Sequence, residues 1–329
     1  MTITLAMYDK SLAHIGPRLT ALALPAVRIV TFGKDGIFDV DGRRVPAEEM
    51  DIDYLWLSAD INLDQARKEA FETVLRCRSI KVLQTFNAGL DDPVYKRIAA
   101  RGTRICNSSA QGIAIAEFTI GQVLAVMQPI AQQRDQQAQK IWKQTPFREL
   151  SQTHWLIIGF GPIGQELAKR VGAFGAKVSV VRRSQVPTPL AGRVGTMADA
   201  TVFAAEADVI VLACALNADT RGFADDAFFA AVKSGAVLVN VARGGLVDDT
   251  AMIAALDRKQ VSTAILDVFQ EEPLPTASPL WTHPNVRMTP HTSFAGSGVR
   301  GRWDALFLDN IARFVRGVAL ANEVDPRDI

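Results

Sequence analysis

A glycine-rich loop, GFGPIG, has the residue types and spacing that a bound pyrophosphate requires. It follows the apolar run WLII and opens the helix-forming segment QELAKRVGAFG. In such a unit Gly159 permits a tight turn, Gly161 lets the backbone approach a phosphate, and Gly164 lets the helix pack on the strand. The helix N-terminus then faces the phosphates. The pattern predicts a dinucleotide site that includes Pro162 and Ile163; the alternative is an ordinary strand-to-helix turn.

The strand end beyond this loop carries arginines where such folds usually place an acid. In NAD-binding folds an Asp or Glu about 20 residues after the loop accepts hydrogen bonds from ribose hydroxyls. Here Arg182 and Arg183 lie 18 and 19 residues after Gly164, and Ser184 follows them. Arginine forks bind a 2′-phosphate with charge-assisted hydrogen bonds. We therefore expect NADP(H) to be preferred, with NAD(H) possible; the alternative is a solvated pair of surface arginines.

The composition indicates a globular protein of two domains. A chain of 329 residues exceeds the usual size of one core. Its net charge of +1 gives no reason to expect nucleic acid or an anionic membrane as a partner. Cys77, Cys106 and Cys214 are widely spaced, which indicates neither a disulfide framework nor a metal site. With no apolar run of about 18 residues and no leader pattern, we expect a soluble, reduced, cytoplasmic protein.

The elements that must position the loop alternate between strand-like and helical patterns. Helical spacing marks LDQARKEAFETVLRC, and the segment 110–140 is apolar on more than one side, which favours an interdomain or dimer helix. A last long helix is expected to be interrupted near Gly301. The alternation predicts an α/β protein with mostly parallel sheets. The predicted strands are ITLAMY, VRIVTF, DYLWLSA, IKVLQTF, WLII, KVSVV, ADVIVLAC, GAVLVNVA and TAILDV.

Three further motifs follow the glycine loop: VNVARGGLVDD, ILDVFQEEPLP and TPHTSFAG. Together the four resemble the D-isomer-specific 2-hydroxyacid dehydrogenase family, over nearly the whole chain and most strongly over residues 155–295. SPLWTHPNVRMTPH and the arginine pair resemble most closely its glyoxylate/hydroxypyruvate reductase branch. The resemblance implies two doubly wound parallel-sheet domains with the active site in the cleft between them. A Rossmann-type cofactor domain, 105–290, is inserted into a flavodoxin-like substrate domain, 1–104 plus 291–329.

The resemblance assigns three catalytic residues. Arg243 matches the arginine that binds the substrate carboxylate and polarises the 2-oxo group, and His291 matches the general acid/base. Glu272, rather than Glu271, matches the acid that pairs with the histidine, because the family's acid directly precedes the proline. Hydride delivered to a ketone carbon leaves an alkoxide, and a histidine can donate the required proton near neutral pH. Formate-type relatives have glutamine at the acid position, so Glu272 favours ordinary 2-oxo acid chemistry.

The same resemblance implies further cofactor contacts. Asp267 matches a position near the nicotinamide ribose and carboxamide, and Ala242 is expected to touch the nicotinamide. Ala215 and Leu216 match a segment that lines the cofactor. The expected cofactor-binding set is Gly159, Gly161, Pro162, Ile163, Gly164, Arg182, Arg183, Ser184, Ala215, Leu216, Ala242, Arg243, Asp267 and His291.

Substrate contacts are expected from both domains. TFNAGLDD resembles the family's loop whose backbone N–H groups hold the substrate carboxylate, here at Ala88, Gly89 and Leu90. The family often has glycine where this chain has Asn87. Arg243 and His291 complete the expected substrate-binding set. Some relatives insert a tryptophan from the neighbouring subunit, from the part of the chain where Trp142 lies; a core or interface tryptophan is the commoner alternative.

The expected reaction is NADPH-dependent reduction of a small 2-oxo acid, glyoxylate or hydroxypyruvate first, to the D-2-hydroxy acid. One alternative is an NAD-linked D-2-hydroxyacid or phosphoglycerate-type dehydrogenase, against which the arginine pair argues. Another is a dinucleotide-sensing corepressor-like binding protein. Such proteins keep the same three residues, so only a measurement of turnover distinguishes them from an enzyme. We expect a homodimer that binds a small 2-oxo or 2-hydroxy acid and has no nucleic-acid, membrane or metal partner.

Overall fold

The chain forms two compact units in the computed structural model, which describes residues 2–329 except for the side chain of Asp328. The first unit consists of the chain up to Ala110 together with Ser297–Ile329. The second unit is Gln111–Gly296. Both boundaries therefore lie six residues beyond those expected from the sequence, at 110 rather than 104 and at 296 rather than 290.

Hydrogen bonds within each unit lie close to both boundaries. Arg302, in the first unit, donates from Nε to the Ala110 carbonyl at 2.8 Å, so the chain up to Ala110 stays with that unit. Ser293 donates its backbone N–H to the Asp267 carboxylate at 3.0 Å, so the residues just after the TPH motif stay with the second unit. Neither bond is marked in the sequence by a change in composition.

The first unit contains a seven-stranded sheet in the order β4-β3-β2-β1-β5-β6-β7. Its strands are β1 Ile3–Tyr8, β2 Val27–Phe32, β3 Ile37–Val40, β4 Arg43–Pro46, β5 Asp51–Leu57, β6 Ser79–Thr85 and β7 Arg104–Cys106. The five parallel strands β2-β1-β5-β6-β7 follow the 2-1-3-4-5 order of flavodoxin-like folds. The expected fold of this unit is thus confirmed for its parallel part.

An antiparallel hairpin, β3–β4, extends that sheet at one edge and is absent from the predicted strands. Its two-residue turn is Asp41–Gly42, with φ of +53° and +82°. Turns of this hand suit a tight hairpin because their twist matches that of the strands, and Asp-Gly is one of their preferred pairs. The Asp-Gly pair was therefore the local signal for this hairpin.

The second unit contains a wholly parallel seven-stranded sheet in the order β10-β9-β8-β11-β12-β13-β14. Its strands are β8 His154–Ile158, β9 Lys177–Val181, β10 Arg193–Gly195, β11 Val209–Leu212, β12 Ala236–Asn240, β13 Val261–Leu266 and β14 Val286–Met288. The order begins 3-2-1-4-5-6 when counted within the unit, which is the order of Rossmann folds and confirms the expected fold. The carboxyl ends of these parallel strands share one edge of the sheet.

Helices cover both sheets. They are α1 Asp9–Ala21, α2 Asp60–Leu63, α3 Arg67–Arg76, α4 Pro93–Ala99, α5 Gly112–Met127, α6 Ile130–Ala138, α7 Pro162–Ala173, α8 Ala200–Ala204, α9 Asp226–Ala231, α10 Asp249–Asp257 and α11 Val299–Val315. Several have clear sequence starts. Asp92 caps α4 by accepting from the Val94 N–H at 3.0 Å, with Pro93 at the first helical position.

Two predicted helices differ from those observed. The expected single helix over 110–140 is broken into α5 and α6, because Gln128 precedes Pro129 and takes an extended conformation with ψ of 144°. The expected interruption near Gly301 is wrong, since α11 continues through that residue. A glycine inside a helix costs only about 1 kcal/mol relative to alanine, which buried residues of α11 such as Phe307 offset.

Apolar side chains fill both faces of the second sheet. Along β8, Leu156 and Ile158 belong to the cluster on one face, and Trp155 and Ile157 belong to the cluster on the other. This alternation follows from the two-residue repeat of a strand. Parallel sheets are typically covered on both faces, so their strands are almost continuously apolar. The core thereby fixes the strand ends that carry the site.

No single helix within residues 2–329 is long and apolar enough to cross a membrane. The pair α5 and α6, bent by 56°, satisfies the length and composition test only when the two helices are taken together. Over the same residues, no group of three or more His, Cys, Asp or Glu side chains is arranged to hold a metal ion.

Candidate active site

His291 and Glu272 form a hydrogen-bonded pair in the second unit. Nδ1 of His291 lies 2.7 Å from Oε2 of Glu272, and Oε1 of Glu272 accepts the backbone N–H of Phe269 at 2.9 Å. An ionised carboxylate can only accept hydrogen bonds, so Nδ1 of His291 carries the proton and donates a hydrogen bond to Glu272. Nε2 is then the ring nitrogen that can contact a ligand. About two fifths of the His291 side chain is exposed, at 41%. The pair is thus both ordered and accessible.

The backbone of His291 is held in an unusual conformation. Its φ is +49°, in the left-handed region that non-glycine residues rarely occupy. Such a conformation costs about 1–3 kcal/mol and persists only where the surroundings enforce it. The His291 N–H donates to the Asp267 carbonyl at 2.8 Å, which ties the residue to the end of β13. Tertiary hydrogen bonds therefore orient this imidazole.

Asp267 organises the loop that carries His291. The side chain is fully buried, and its carboxylate accepts from Thr289 Oγ1 at 2.6 Å and from the backbone N–H groups of Thr292 and Ser293 at 2.8 and 3.0 Å. Both carboxylate oxygens are thus engaged by protein donors. The contact of Asp267 with a nicotinamide stays a prediction, and the carboxylate's observed partners all belong to the His291 loop.

Arg243 lies in a loop that is in direct contact with the loop of Glu272. A Cβ on Gly244 would lie 1.9 Å from the carbonyl carbon of Phe269, so only glycine permits this approach. Asn240, which is fully buried at the end of β12, donates from Nδ2 to the Arg243 carbonyl at 2.9 Å and accepts the Ala242 N–H at 3.1 Å. The structure therefore brings the elements of all three expected catalytic residues together within one unit.

Asn240 and Gly244 were missing from the expected site. Both lie in the motif VNVARGG, but their supporting role depends on contacts with other loops. A polar residue that ends an otherwise apolar strand was the available signal for Asn240, because a buried amide must find hydrogen-bond partners. For Gly244 the packing partner Phe269 is remote in sequence, and no local pattern indicates it.

The glycine loop has the shape that its sequence predicts. Gly159 has φ of +105°, and a Cβ there would lie 2.4 Å from the Ala213 carbonyl carbon. A Cβ on Gly164 would lie 2.1 Å from the Gly159 carbonyl oxygen, which explains the close packing of α7 on the loop. Apart from the adjacent chain, nothing lies within 4 Å of a Cβ placed on Gly161, so this face of the loop is open to a ligand. The loop and the start of α7 fit a bound pyrophosphate.

The expected adenosine end of the site lies after β9. Arg182 is half-buried, with its guanidinium carbon 5.6 Å from the centre of the Phe160 ring, and Arg183 and Ser184 are exposed. Arg182 also donates its backbone N–H to the Gly195 carbonyl at 2.9 Å. The arginine pair thus lies beside the glycine loop at the carboxyl edge of the sheet, where this fold places the adenosine ribose.

The family model of the D-isomer specific 2-hydroxyacid dehydrogenase, NAD binding domain, matches residues 120–293, more than half of the chain. The chain belongs to the D-isomer specific 2-hydroxyacid dehydrogenase family. This confirms the resemblance that the motifs predict, and with it an NAD(P)-dependent dehydrogenase or reductase. The matched segment contains the glycine loop, the Arg243 loop, Glu272 and His291.

Several relatives are similar to about three quarters of this chain. A protein of Corynebacterium melassecola described as uncharacterized is 34% identical over 75% of this chain and 83% of its own length. The mouse glyoxylate reductase/hydroxypyruvate reductase is 29% identical over 75% of this chain and 77% of its own. The D-3-phosphoglycerate dehydrogenase of Methanocaldococcus jannaschii is 30% identical over 78% of this chain and 50% of its own. The family membership therefore leaves more than one substrate open.

Solved structures of the family match almost the whole chain. A family protein from Aeromonas salmonicida is 26% identical with a TM-score of 0.76, covering 99% of this chain and 100% of its own. A D-isomer specific 2-hydroxyacid dehydrogenase from Xanthobacter autotrophicus, solved in complex with NADPH and MES, is 25% identical with a TM-score of 0.76, covering 99% of each chain. These matches agree with the two parallel-sheet units described above.

The remaining expected contacts lie in three places. Ala215 and Leu216 follow β11, and a Cβ on Gly245 would lie 3.0 Å from Leu216 Cδ2, so this segment is next to the Arg243 loop. Ala88, Gly89 and Leu90 are half-buried after β6 in the first unit. Trp142 is fully exposed in the second unit, which excludes a core position within its own chain. Its insertion into a neighbouring active site stays a prediction.

The three cysteines are free thiols. Cys77 and Cys106 are buried, and burial raises the pKa of each thiol to about 12. Cys214 is half-buried beside Gly159 rather than in the core, and burial raises its pKa to about 11. Thiols with raised pKa values are poor nucleophiles at neutral pH because little thiolate is present.

Proposed function

We propose that this protein is an NADPH-dependent reductase that converts a small 2-oxo acid, glyoxylate or hydroxypyruvate first, to the D-2-hydroxy acid. The observation that carries the proposal is the pairing of His291 with Glu272 at 2.7 Å, beside the loop of Arg243. A proton donor and a carboxylate-binding arginine suit the reduction of a 2-oxo acid. The relatives named glyoxylate reductase/hydroxypyruvate reductase support the choice of substrate.

The side chains divide the reaction between them. When bound, the reduced nicotinamide supplies a hydride to the 2-oxo carbon. His291 donates a proton from Nε2 to the oxygen on that carbon, and the neutral imidazole that remains keeps its Nδ1 proton on the side of Glu272. Arg243 binds the substrate carboxylate with parallel N–H bonds and stabilises negative charge that develops on the oxygen.

The arginine pair supports NADPH over NADH. Arg182 and Arg183 replace the acid that would accept hydrogen bonds from the ribose hydroxyls and repel a 2′-phosphate. The relative from Xanthobacter autotrophicus was solved with NADPH, which is consistent with this preference in a protein of the same family.

Three free cysteines and the absence of an intramolecular disulfide within residues 2–329 support a reducing cytoplasm as the location.

The proposal is tested by initial reduction rates on glyoxylate, hydroxypyruvate, pyruvate and phenylpyruvate, each with NADPH and with NADH. We expect fast turnover of glyoxylate or hydroxypyruvate with NADPH. Oxidation of D-3-phosphoglycerate with NAD faster than any of these reductions would favour the phosphoglycerate-type alternative. Tight NADPH binding without turnover on any 2-oxo acid would favour a dinucleotide-sensing protein.

Replacing Arg182 and Arg183 together by alanine should raise the KM for NADPH by about 100-fold or more, since each of the two charge-assisted bonds contributes about 1.5–3 kcal/mol. The KM for NADH should change by less than about threefold because NADH lacks the 2′-phosphate. Arg193→Ala is the matched control, since Arg193 also lies over a phenylalanine ring, at 4.3 Å from that of Phe203. An equal rise in the KM for NADPH and for NADH in the double variant would mean that the arginine pair supports the fold and does not bind the 2′-phosphate.

We also propose a second copy of this chain as a partner. Residues 128–149 expose Ile130, Ile141, Trp142 and Phe147, and α6 buries none of its residues. Contiguous exposed apolar side chains mark interaction surfaces. Sedimentation velocity should give a dimer for the wild type and a monomer for Trp142→Ser with Phe147→Ser. Val318→Ser is the control, at a residue about as exposed as Phe147. A wild type that sediments as a monomer at micromolar concentration would overturn this proposal.

A further inference from the structure

The substrate loop, residues 87–90, is anchored by the segment that follows the neighbouring strand. Asn107 donates from Nδ2 to the Ala88 carbonyl at 2.7 Å. Ser108 donates its backbone N–H to the Asn87 carbonyl at 2.8 Å. β6 and β7 are adjacent and parallel, so the residues after both strands meet at one edge of the sheet. Two consecutive carbonyl groups of the loop are thus held from the same side.

These two bonds set the direction of two backbone N–H groups. Within residues 2–329 the cis peptide bond precedes Pro273, so the bonds after Asn87 and Ala88 are trans. In a planar trans peptide the carbonyl and the N–H point in opposite directions. The N–H groups of Ala88 and Gly89 therefore point away from Asn107 and Ser108. Successive N–H groups on one side of a turn form a concavity that binds anions.

In the described part of the chain, neither N–H group donates to a protein acceptor. Both residues are half-buried, and a partly buried N–H requires a partner from water or a ligand. An anionic carboxylate is a stronger acceptor than water for a pair of amides with fixed direction. The two N–H groups therefore face a bound carboxylate only while the Asn87 and Ala88 carbonyl groups point towards Asn107 and Ser108.

We propose that Asn107 is a positioning residue for the substrate carboxylate. Its side-chain amide holds the Ala88 carbonyl and thereby turns the Gly89 N–H towards the ligand. The bond from Ser108 does the same for Ala88 but comes from the backbone, so Asn107 is the side chain that controls the geometry. The inference rests on the proposed function, because it takes the ligand to be a small carboxylic acid.

The test is Asn107→Asp, which keeps the size of the side chain and removes its donor. The introduced carboxylate repels the Ala88 carbonyl, so the peptide turns and the Gly89 N–H is lost to the ligand. We expect the KM for glyoxylate at pH 8 to rise by about 10-fold or more, the usual effect of one charge-assisted hydrogen bond. The kcat at saturating glyoxylate should stay within about twofold of the wild type, because the lost hydrogen bond holds the substrate equally in the ground state and the transition state. The KM for NADPH should also stay within about twofold, because the loop does not hold the cofactor.

A pH profile separates positioning from a structural effect. Once protonated, the introduced carboxyl group can again donate to the Ala88 carbonyl. The ratio of the variant's KM to the wild-type KM should therefore fall as the pH is lowered from 8 to 5. If Asn107→Asp does not fold, as judged by circular dichroism, Asn107→Ala should raise the glyoxylate KM in the same direction, without the pH dependence of the ratio.

Ser109→Ala is the matched control. Ser109 lies in the same segment and accepts from Asn322 Nδ2 at 2.8 Å, but within residues 2–329 it makes no hydrogen bond with the substrate loop. This change should leave the KM for glyoxylate unaltered. A similar rise in both variants, an unchanged KM in both Asn107 variants, or an equal rise in the KM for NADPH would overturn the inference.

Calorimetric titration of the NADPH-bound protein with oxalate distinguishes the two proposals if the wild type turns over no 2-oxo acid. In that case the proposed reaction fails, and oxalate reports on the loop alone. Binding by the wild type that weakens about 10-fold or more in Asn107→Asp would support the positioning role. Equal binding by both proteins, or no binding to the wild type, would overturn it.

Discussion

The carboxylate of Glu272 uses one oxygen for His291 and the other for the backbone of Phe269. The second bond keeps the carboxylate from rotating away when the imidazole changes charge. The strained backbone of His291, with φ of +49°, adds a second constraint. The imidazole is therefore held from its ring and from its main chain.

His291→Gln should reduce the rate of 2-oxo acid reduction by about 100-fold or more, the usual effect of losing a general acid. Cofactor binding should remain, since the glycine loop is unchanged. The measurements are kcat with glyoxylate and NADPH affinity by fluorescence titration. His283→Gln is the control, because His283 lies 3.4 Å from Asp257 and outside the proposed site. A near-normal rate in the His291 variant would remove this residue from its assigned role.

At the scale of elements, glycine has opposite effects in two helices. In α11 nothing lies within 4 Å of a Cβ on Gly301, and the backbone is helical there. In α7 a Cβ on Gly164 would lie 2.1 Å from the Gly159 carbonyl oxygen. A side chain would fit at the first glycine, whereas the second lets α7 approach the phosphate loop.

Gly301→Ala should therefore raise the free energy of unfolding of the first unit by about 0.4–1 kcal/mol, because alanine restricts the unfolded chain and fits the helix. Gly164→Ala should lower the stability of the second unit and weaken NADPH binding, since the loop must shift to admit the methyl group. Urea unfolding curves and NADPH titrations check both. Destabilisation by Gly301→Ala would show that α11 does not tolerate a side chain there.

At the scale of the whole molecule, one buried carboxylate supports the second unit against acid. Asp208 is 6% exposed and accepts from Lys233 Nζ at 2.6 Å, from the His154 N–H at 2.9 Å and from Arg148 Nη2 at 2.8 Å. Burial acts to raise the pKa of Asp208, but these hydrogen bonds outweigh it and hold the pKa below its ordinary value of 3.8. A lowered pKa in the folded state stabilises the protein above the unfolded pKa.

Asp208→Asn should lower the free energy of unfolding by about 1–3 kcal/mol at pH 7, the cost of losing charged hydrogen bonds to a buried group. The difference from the wild type should stay constant from pH 8 to 5 and shrink below about pH 4, as the wild-type carboxylate becomes protonated. Urea unfolding at a series of pH values measures it. Asp257→Asn, at a largely exposed aspartate, is the control. A difference that is unchanged at pH 3 would contradict this account.

Local sequence patterns were enough to predict the predominantly apolar strands, the glycine loop and the family motifs. Strand predictions such as ITLAMY and VRIVTF coincide with β1 and β2. Such predictions succeed because a strand's apolar pattern can be read from consecutive residues. Family resemblance supplied Arg243, Glu272 and His291, and the structure places their elements side by side. The Asp41–Gly42 hairpin also has a local sequence signal, although it is absent from the predicted strands.

The atoms that these residues contact follow from the folded chain and not from local sequence patterns. Both carboxylate oxygens of Asp267 accept hydrogen bonds from the His291 loop, and the Phe269 backbone packs directly against Gly244. Asn107 donates a hydrogen bond to the Ala88 carbonyl. Each contact joins segments that are separated by many residues, so neither periodicity nor composition encodes it. The physical reason is that parallel strands bring distant loops to one edge of a sheet, where hydrogen bonds form between residues that share no local pattern.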